Sequence, residues 1–158
     1  MSSLKLPFNQ SHQLEQIFGE SGTLAQKLPY FNARPEQLEM AQAVTHALNN
    51  VSSAILEAGT GTGKTFAYLI PTLLWGGKAI ISTGTKTLQD QLFERDLPTI
   101  RDALGAPVTI ALLKGRANYV CHYHLERVLM NGRLLGRDDA KHLKRIKKDL
   151  HHVKRGDK

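Results

Sequence analysis

Cysteine is nearly absent: Cys121 is the single one in 158 residues, so no disulfide can close within the chain and pairing says nothing about redox compartment. Long apolar runs are missing too, and the longest falls far short of a bilayer span. Met1 to Gln10 has neither the charged start nor the continuous apolar centre of a secretory signal. A cytoplasmic chain without membrane contact is the expectation. Acidic residues are in short supply, 14 against 21 Lys and Arg, giving a net charge of +7. The deficit is local: residues 1–136 hold 12 Lys/Arg and 10 Asp/Glu, whereas 137–158 hold 9 and 4. Such a tail suits a polyanion, with nucleic acid the commonest, and equally suits a solvated helix face. No internal repeat or low-complexity tract is present, and a 41% hydrophobic content is consistent with one globular domain.

Against these absences stands one dense motif. Glu57-Ala58-Gly59-Thr60-Gly61-Thr62-Gly63-Lys64-Thr65 follows an apolar run, Ser53-Ala54-Ile55-Leu56, and precedes Phe66, Ala67, Leu69, Ile70, Leu73 and Leu74 at helical spacing. A glycine-rich turn between a strand and a helix lets successive backbone N–H groups curl round an anion, and the helix start adds partial positive charge. Lys64 would reach the β- and γ-phosphates of a nucleoside triphosphate, and the Thr65 hydroxyl would ligate Mg²⁺. A dinucleotide-binding turn is excluded, because its third glycine would fall at position 64, which is lysine.

The rest of the chain is organised around this loop. Leu14, Ile17 and Phe18 predict a short helix ending at Gly19, and a loop follows from Gly22 to Pro29. Leu38, Ala41, Val44, Ala47 and Leu48 predict a helix opened by Pro35 and closed at Asn49-Asn50. Beyond Gly76-Gly77, residues 78–83 read as a second strand, 87–95 as a helix, 97–104 as a short helix, and 108–113 as a third strand. The alternation predicts an α/β fold with a parallel sheet and flanking helices, ligands binding at the carboxyl ends of the strands. Residues 118–131 read as helical. From Asp138 an amphipathic helix carries Leu143, Ile146, Leu150 and Val153 on one stripe, with Lys141, Lys144, Arg145, Lys147, Lys148 and Lys154 around it.

Four segments carry a resemblance. Ala58 to Thr65 is similar to the first motif of superfamily 2 helicases, in which alanine replaces the usual first glycine. Arg34-Pro35-Glu36-Gln37-Leu38-Glu39-Met40 resembles the element whose glutamine reads adenine. Ile81 to Leu92 resembles the segment that grips single-stranded DNA. Leu113-Lys114-Gly115-Arg116-Ala117-Asn118-Tyr119-Val120-Cys121 is similar to the run that delivers the first cluster cysteine in iron–sulfur helicases of the DinG/XPD type, most closely their YoaA-like bacterial members. The resemblance implies an ATP-dependent helicase moving 5′ to 3′ on single-stranded or forked DNA, with a RecA-like first motor domain. Its cofactors would be ATP, Mg²⁺ and a four-iron, four-sulfur cluster.

Carried onto this sequence, the resemblance places nucleotide at Arg34, Gln37, Ala58, Gly59, Thr60, Gly61, Thr62, Gly63, Lys64 and Thr65, with Lys64 and Thr65 catalytic. It places DNA at Thr83, Thr85, Lys86 and Gln89, where hydroxyls, an ammonium and an amide suit phosphate oxygens. Thr85 equally suits a helix cap. Cys121 becomes one cluster ligand. His122 and His124 beside it would also suit zinc, although two further ligands cannot be named. His151-His152 fits the solvated basic helix.

The second acidic motif of such helicases, an apolar strand ending in Asp-Glu-Ala-His, is not in the sequence. Asp138-Asp139-Ala140-Lys141-His142 echoes it, but no apolar strand precedes it, and its acids suit a helix start. The expected organisation is an N-terminal lead at 1–21, the N-terminal part of a helicase ATP-binding domain at 22–117, and the start of a helical iron–sulfur insertion at 118–158. The chain then reads as the nucleotide-gripping part of a motor. The alternative is a non-catalytic module that binds nucleotide and nucleic acid.

Overall fold

Residues 10–131 and 137–150 are described by a computed structural model. The spacing of Leu14, Ile17 and Phe18 produces α1, Gln10–Phe18, which stops at Gly19, whose N–H bonds to the Glu15 carbonyl at 2.9 Å. The segment expected as a loop contains a short helix, α2, Thr23–Lys27. Burial of Leu24 in the core accounts for it, one anchored apolar residue being enough to fix a single turn. Helix α3 spans Pro35–Asn49 with proline at its first position, and α4 spans Lys64–Trp75. Helix α5, Lys86–Gln91, runs through a π turn, Leu92–Asp96, into α6, Leu97–Leu104. Helices α7, His122–Asn131, and α8, Arg137–Leu150, follow.

Two compact units divide at Ala111 and Leu112. The core of the first gathers Leu14, Ile17, Phe18, Leu24, Ala41, Leu69, Ile70, Leu92, Ile100 and Ala103. Each large side chain fully buried there contributes about 1.5–3 kcal/mol. Helices α3 and α4 pack along one another, and α1, α2 and α6 complete the cluster. In the second unit α7 packs on α8 and buries Leu125. Of the expected stripe on α8, Ile146 stays 40% exposed. Val153, Lys154 and His151-His152 lie outside the described residues, as does the start of the N-terminal lead.

The expected RecA-like α/β sheet is not there: among the described residues no strand is formed, and the fold is helical. Residues 53–57 and 78–82 run without regular structure and lie exposed, Ile55 fully and Ile80 at 98%. Among the described residues their backbone groups make no backbone hydrogen bond. Residues 108–113 also carry no regular structure, with Leu113 84% exposed and Val108, Ile110 and Leu112 half-buried. A strand exists only through hydrogen bonds to a neighbour. The apolar runs of Ile, Leu and Val report a preference for being covered, which among the described residues the runs at 53–57 and 78–82 do not meet.

Two helix ends show how local chemistry punctuates this fold. Both α3 and α6 close with a six-residue hydrogen bond, Ser52 N–H to Ala47 at 3.0 Å and Ala106 N–H to Arg101 at 3.0 Å. This motif requires a left-handed residue just before the donor. At α6 that residue is Gly105, φ +61°; at α3 it is Val51, φ +50°, a branched side chain where glycine is at ease.

Candidate nucleotide-binding site

The start of α3 is fastened to the glycine-rich loop. Arg34 donates from Nη1 to the Gly61 carbonyl, and Gln37, one turn on, donates from Nε2 to the Gly63 carbonyl at 3.2 Å. Gln37 is only 5% exposed, and its Oε1 has no partner. Gly63 sits at φ +79°, and a Cβ there would collide with the Gln37 carboxamide. Glycine at this position therefore serves two needs, a left-handed backbone and close approach of α3.

Within the loop, Thr62 Oγ1 donates to the Gly59 carbonyl at 2.9 Å. The Lys64 ammonium donates to the carbonyls of Ala58 at 2.7 Å and Gly59 at 2.6 Å. Among the described residues the backbone N–H groups of residues 59–61 make no backbone hydrogen bond, and those of Lys64 and Thr65 come before the first helical bond, which Phe66 N–H gives to the Gly63 carbonyl at 3.1 Å. These donors, with the positive helix start and a movable ammonium, can take an anion with several oxygens. Thr65, in the first turn of α4, shares a side-chain hydrogen bond with Tyr68. Burial raises the pKa of the Tyr68 phenol above its usual value; the Thr65 hydrogen bond opposes that rise and the negative charge of Asp96 adds to it. Sequence reasoning passed over Tyr68 and Asp96, although the three-residue spacing from Thr65 puts Tyr68 on the same helix face.

The structure brings Arg34, Gln37 and residues 58–65 into one constellation. Thr83, Thr85, Lys86 and Gln89 form a separate group at the start of α5. Thr85 Oγ1 caps α5 by accepting from Leu88 N–H at 3.2 Å, and Thr83 Oγ1 donates to the Thr85 carbonyl at 3.1 Å. Lys86 is exposed. In the second unit, residues 113–121 fold round a 3₁₀ turn, Arg116–Asn118, held by Lys114 N–H donating to Tyr119 Oη at 3.0 Å. Asn118 Nδ2 also donates to Gly115 at 3.1 Å. Cys121 is exposed just ahead of α7, and its carbonyl accepts from Leu125 N–H at 2.9 Å. Tyr123 and His124 meet edge to face, with ring centroids 5.3 Å apart. Among the described residues no three His, Cys, Asp or Glu side chains converge to hold a metal.

Comparison with known proteins bears on the whole of this arrangement. The family described as DEAD/DEAH box helicase matches residues 35–125. The ATP-dependent DNA helicase YoaA of Haemophilus influenzae is 52% identical over 146 residues, covering 92% of this chain and 23% of the relative. YoaA of Escherichia coli is 51% identical over 115 residues, covering 73% and 18%. The 3′-5′ exonuclease DinG of Bacillus subtilis is 40% identical over 115 residues, covering 70% and 12%. The chain thus spans about a quarter or less of the length of the curated relatives it matches.

Proposed function

We propose a function from one premise: the chain belongs to the DEAD/DEAH box helicase family. It supplies the ATP-gripping part of a 5′ to 3′ DNA helicase. The observation that carries this reading is the clasp of α3 on the loop. A buried carboxamide with a free acceptor, Gln37 Oε1, is tied to the backbone of a loop rich in unpaired N–H donors. An adenine amino group suits that acceptor, while the triphosphate suits the N–H groups.

In this reading the Lys64 ammonium leaves the carbonyls of Ala58 and Gly59 and pairs with the β- and γ-phosphate oxygens, neutralising charge that develops as the terminal phosphoryl group departs. Arg34 keeps Gly61 in place, so the loop holds its curvature while Lys64 moves. The Thr65 hydroxyl fits a hard cation through its oxygen, and Mg²⁺ there would neutralise phosphate charge. Thr83, Thr85, Lys86 and Gln89 offer polar atoms to a DNA backbone, with Thr85 already committed to its cap. Cys121 is exposed and suits one position of an iron–sulfur cluster. A cluster takes four ligands and this chain has one cysteine, so its residues alone do not fit the group.

The 158-residue chain, without the acidic motif, is expected to bind ATP without hydrolysing it efficiently or unwinding DNA. Calorimetric titration with ATP tests the grip: Lys64→Ala should weaken binding about a hundredfold, the scale of a lost charge-assisted contact. Affinity for single-stranded DNA should stay largely unchanged, since the basic segment from 137 onward is intact. Equal ATP affinity in parent and variant would overturn the assignment, and strong DNA-stimulated ATPase activity of the chain would overturn its inactivity.

A further inference from the structure

Residues 53–57 and 78–82 stand on either side of the glycine-rich loop and α4. Every residue of both runs is exposed, and neither run contains a helix, turn or bend. Among the described residues none of their backbone groups makes a backbone hydrogen bond. Ile55 and Ile80, at their centres, are fully and 98% exposed, so they do not pack on one another within one copy. Neither run holds proline or glycine. Straight, apolar, unpaired backbone of this kind is a template for pairing with another chain.

The two runs also complement each other residue by residue. Laid antiparallel with Ile55 opposite Ile80, Glu57 meets Lys78 and Ser53 meets Ser82. These three pairs share one face, because side chains alternate along a strand. On the other face Leu56 meets Ala79 and Ala54 meets Ile81, a large side chain against a small one each time. A slip of two residues either way sets Glu57 or Lys78 against an isoleucine and loses the ion pair, so the register is specified. Within one chain the path from 57 to 78 runs through α4, and a helical crossover serves parallel strands. Parallel alignment parts Glu57 from Lys78. Between copies nothing constrains the direction.

We propose that the chain self-associates, residues 53–57 of one copy pairing antiparallel with residues 78–82 of a second, in a ladder centred on Ile55 and Ile80 and held in register by Glu57 and Lys78. The two runs differ, so the contact is heterologous, and each copy offers both halves. A five-residue ladder buries far less than the roughly 1,600 Å² of a standard stable interface. Association is therefore weak and belongs to high protein concentration. The contact needs no nucleotide.

Sedimentation velocity of the 158-residue chain, with infrared spectra of the same samples, tests the pairing. Average mass should rise with concentration, and an antiparallel-strand band should rise with it. Glu57→Lys and Lys78→Glu each set like charges opposite one another and should weaken association about three- to tenfold. The double exchange, Glu57→Lys with Lys78→Glu, should restore it to within about twofold of the parent. Both side chains are exposed, so the exchanges leave the helical core intact. Ile80→Lys puts a charge at the centre of the ladder and should reduce association below detection. A chain that stays monomeric at every concentration overturns the proposal. So does a strand band independent of concentration, which places the pairing within one copy. Association that is indifferent to Ile80→Lys or to the single exchanges, or that the double exchange fails to restore, marks unspecific apolar clustering and overturns it too.

Discussion

The glycine-rich loop and the extended segment just before it are neighbours in sequence and opposites in how they are held. Residues 58–65 close on themselves through Thr62, Lys64 and the two donors from α3. Residues 53–57 contact little, and Ile55 is wholly exposed. The loop's partners lie within a few residues or on one adjoining helix, so short-range chemistry completes it. The extended segment needs a ladder partner and a covering face, neither of which its own residues can supply. Hydrophobicity states a demand, while hydrogen-bond geometry states whether it has been met.

Three substitutions break or sharpen this contrast. The largest effect is expected from Gly63→Ala, which adds a methyl group where the backbone is left-handed and Gln37 is in contact. Urea unfolding should show a loss of about 2 kcal/mol or more, and ATP affinity should fall with it. Next comes Val51→Gly, at the junction between α3 and the extended segment. Relief of the left-handed valine should raise stability by about 1 kcal/mol in the same assay, moving it towards the ease that Gly105 gives α6. The smallest effect belongs to Ile55→Asp. A fully exposed side chain loses no packing, so the unfolding midpoint should shift by less than about 0.5 kcal/mol. A loss of several kcal/mol at Ile55 would show that the segment is covered and erase the contrast.

What the sequence made legible follows the same division. The starts and stops of α3 and α4 were readable from Pro35, Gly63 and Gly76, because caps and glycines act over three or four residues. The pairing of Gln37 and Arg34 with the loop was foreshadowed by resemblance, although not the particular carbonyls they choose. The π turn at Leu92–Asp96 was hidden, since its residues carry an ordinary helical pattern and the extra residue per turn leaves no compositional trace. The expected sheet does not form for the plainest reason: an apolar run signals a demand for cover and does not itself supply a ladder partner.

The two hydrogen bonds from α3 to the loop span 27 and 26 residues of chain. Together with the covalent path through Val51 and the exposed segment, they close a ring whose open arc is residues 52–57. A protease that cuts in that arc would therefore not part the molecule. The nicked halves would stay clasped by Arg34 and Gln37 and by the packing of α3 on α4, and would migrate as one species until a denaturant loosened them.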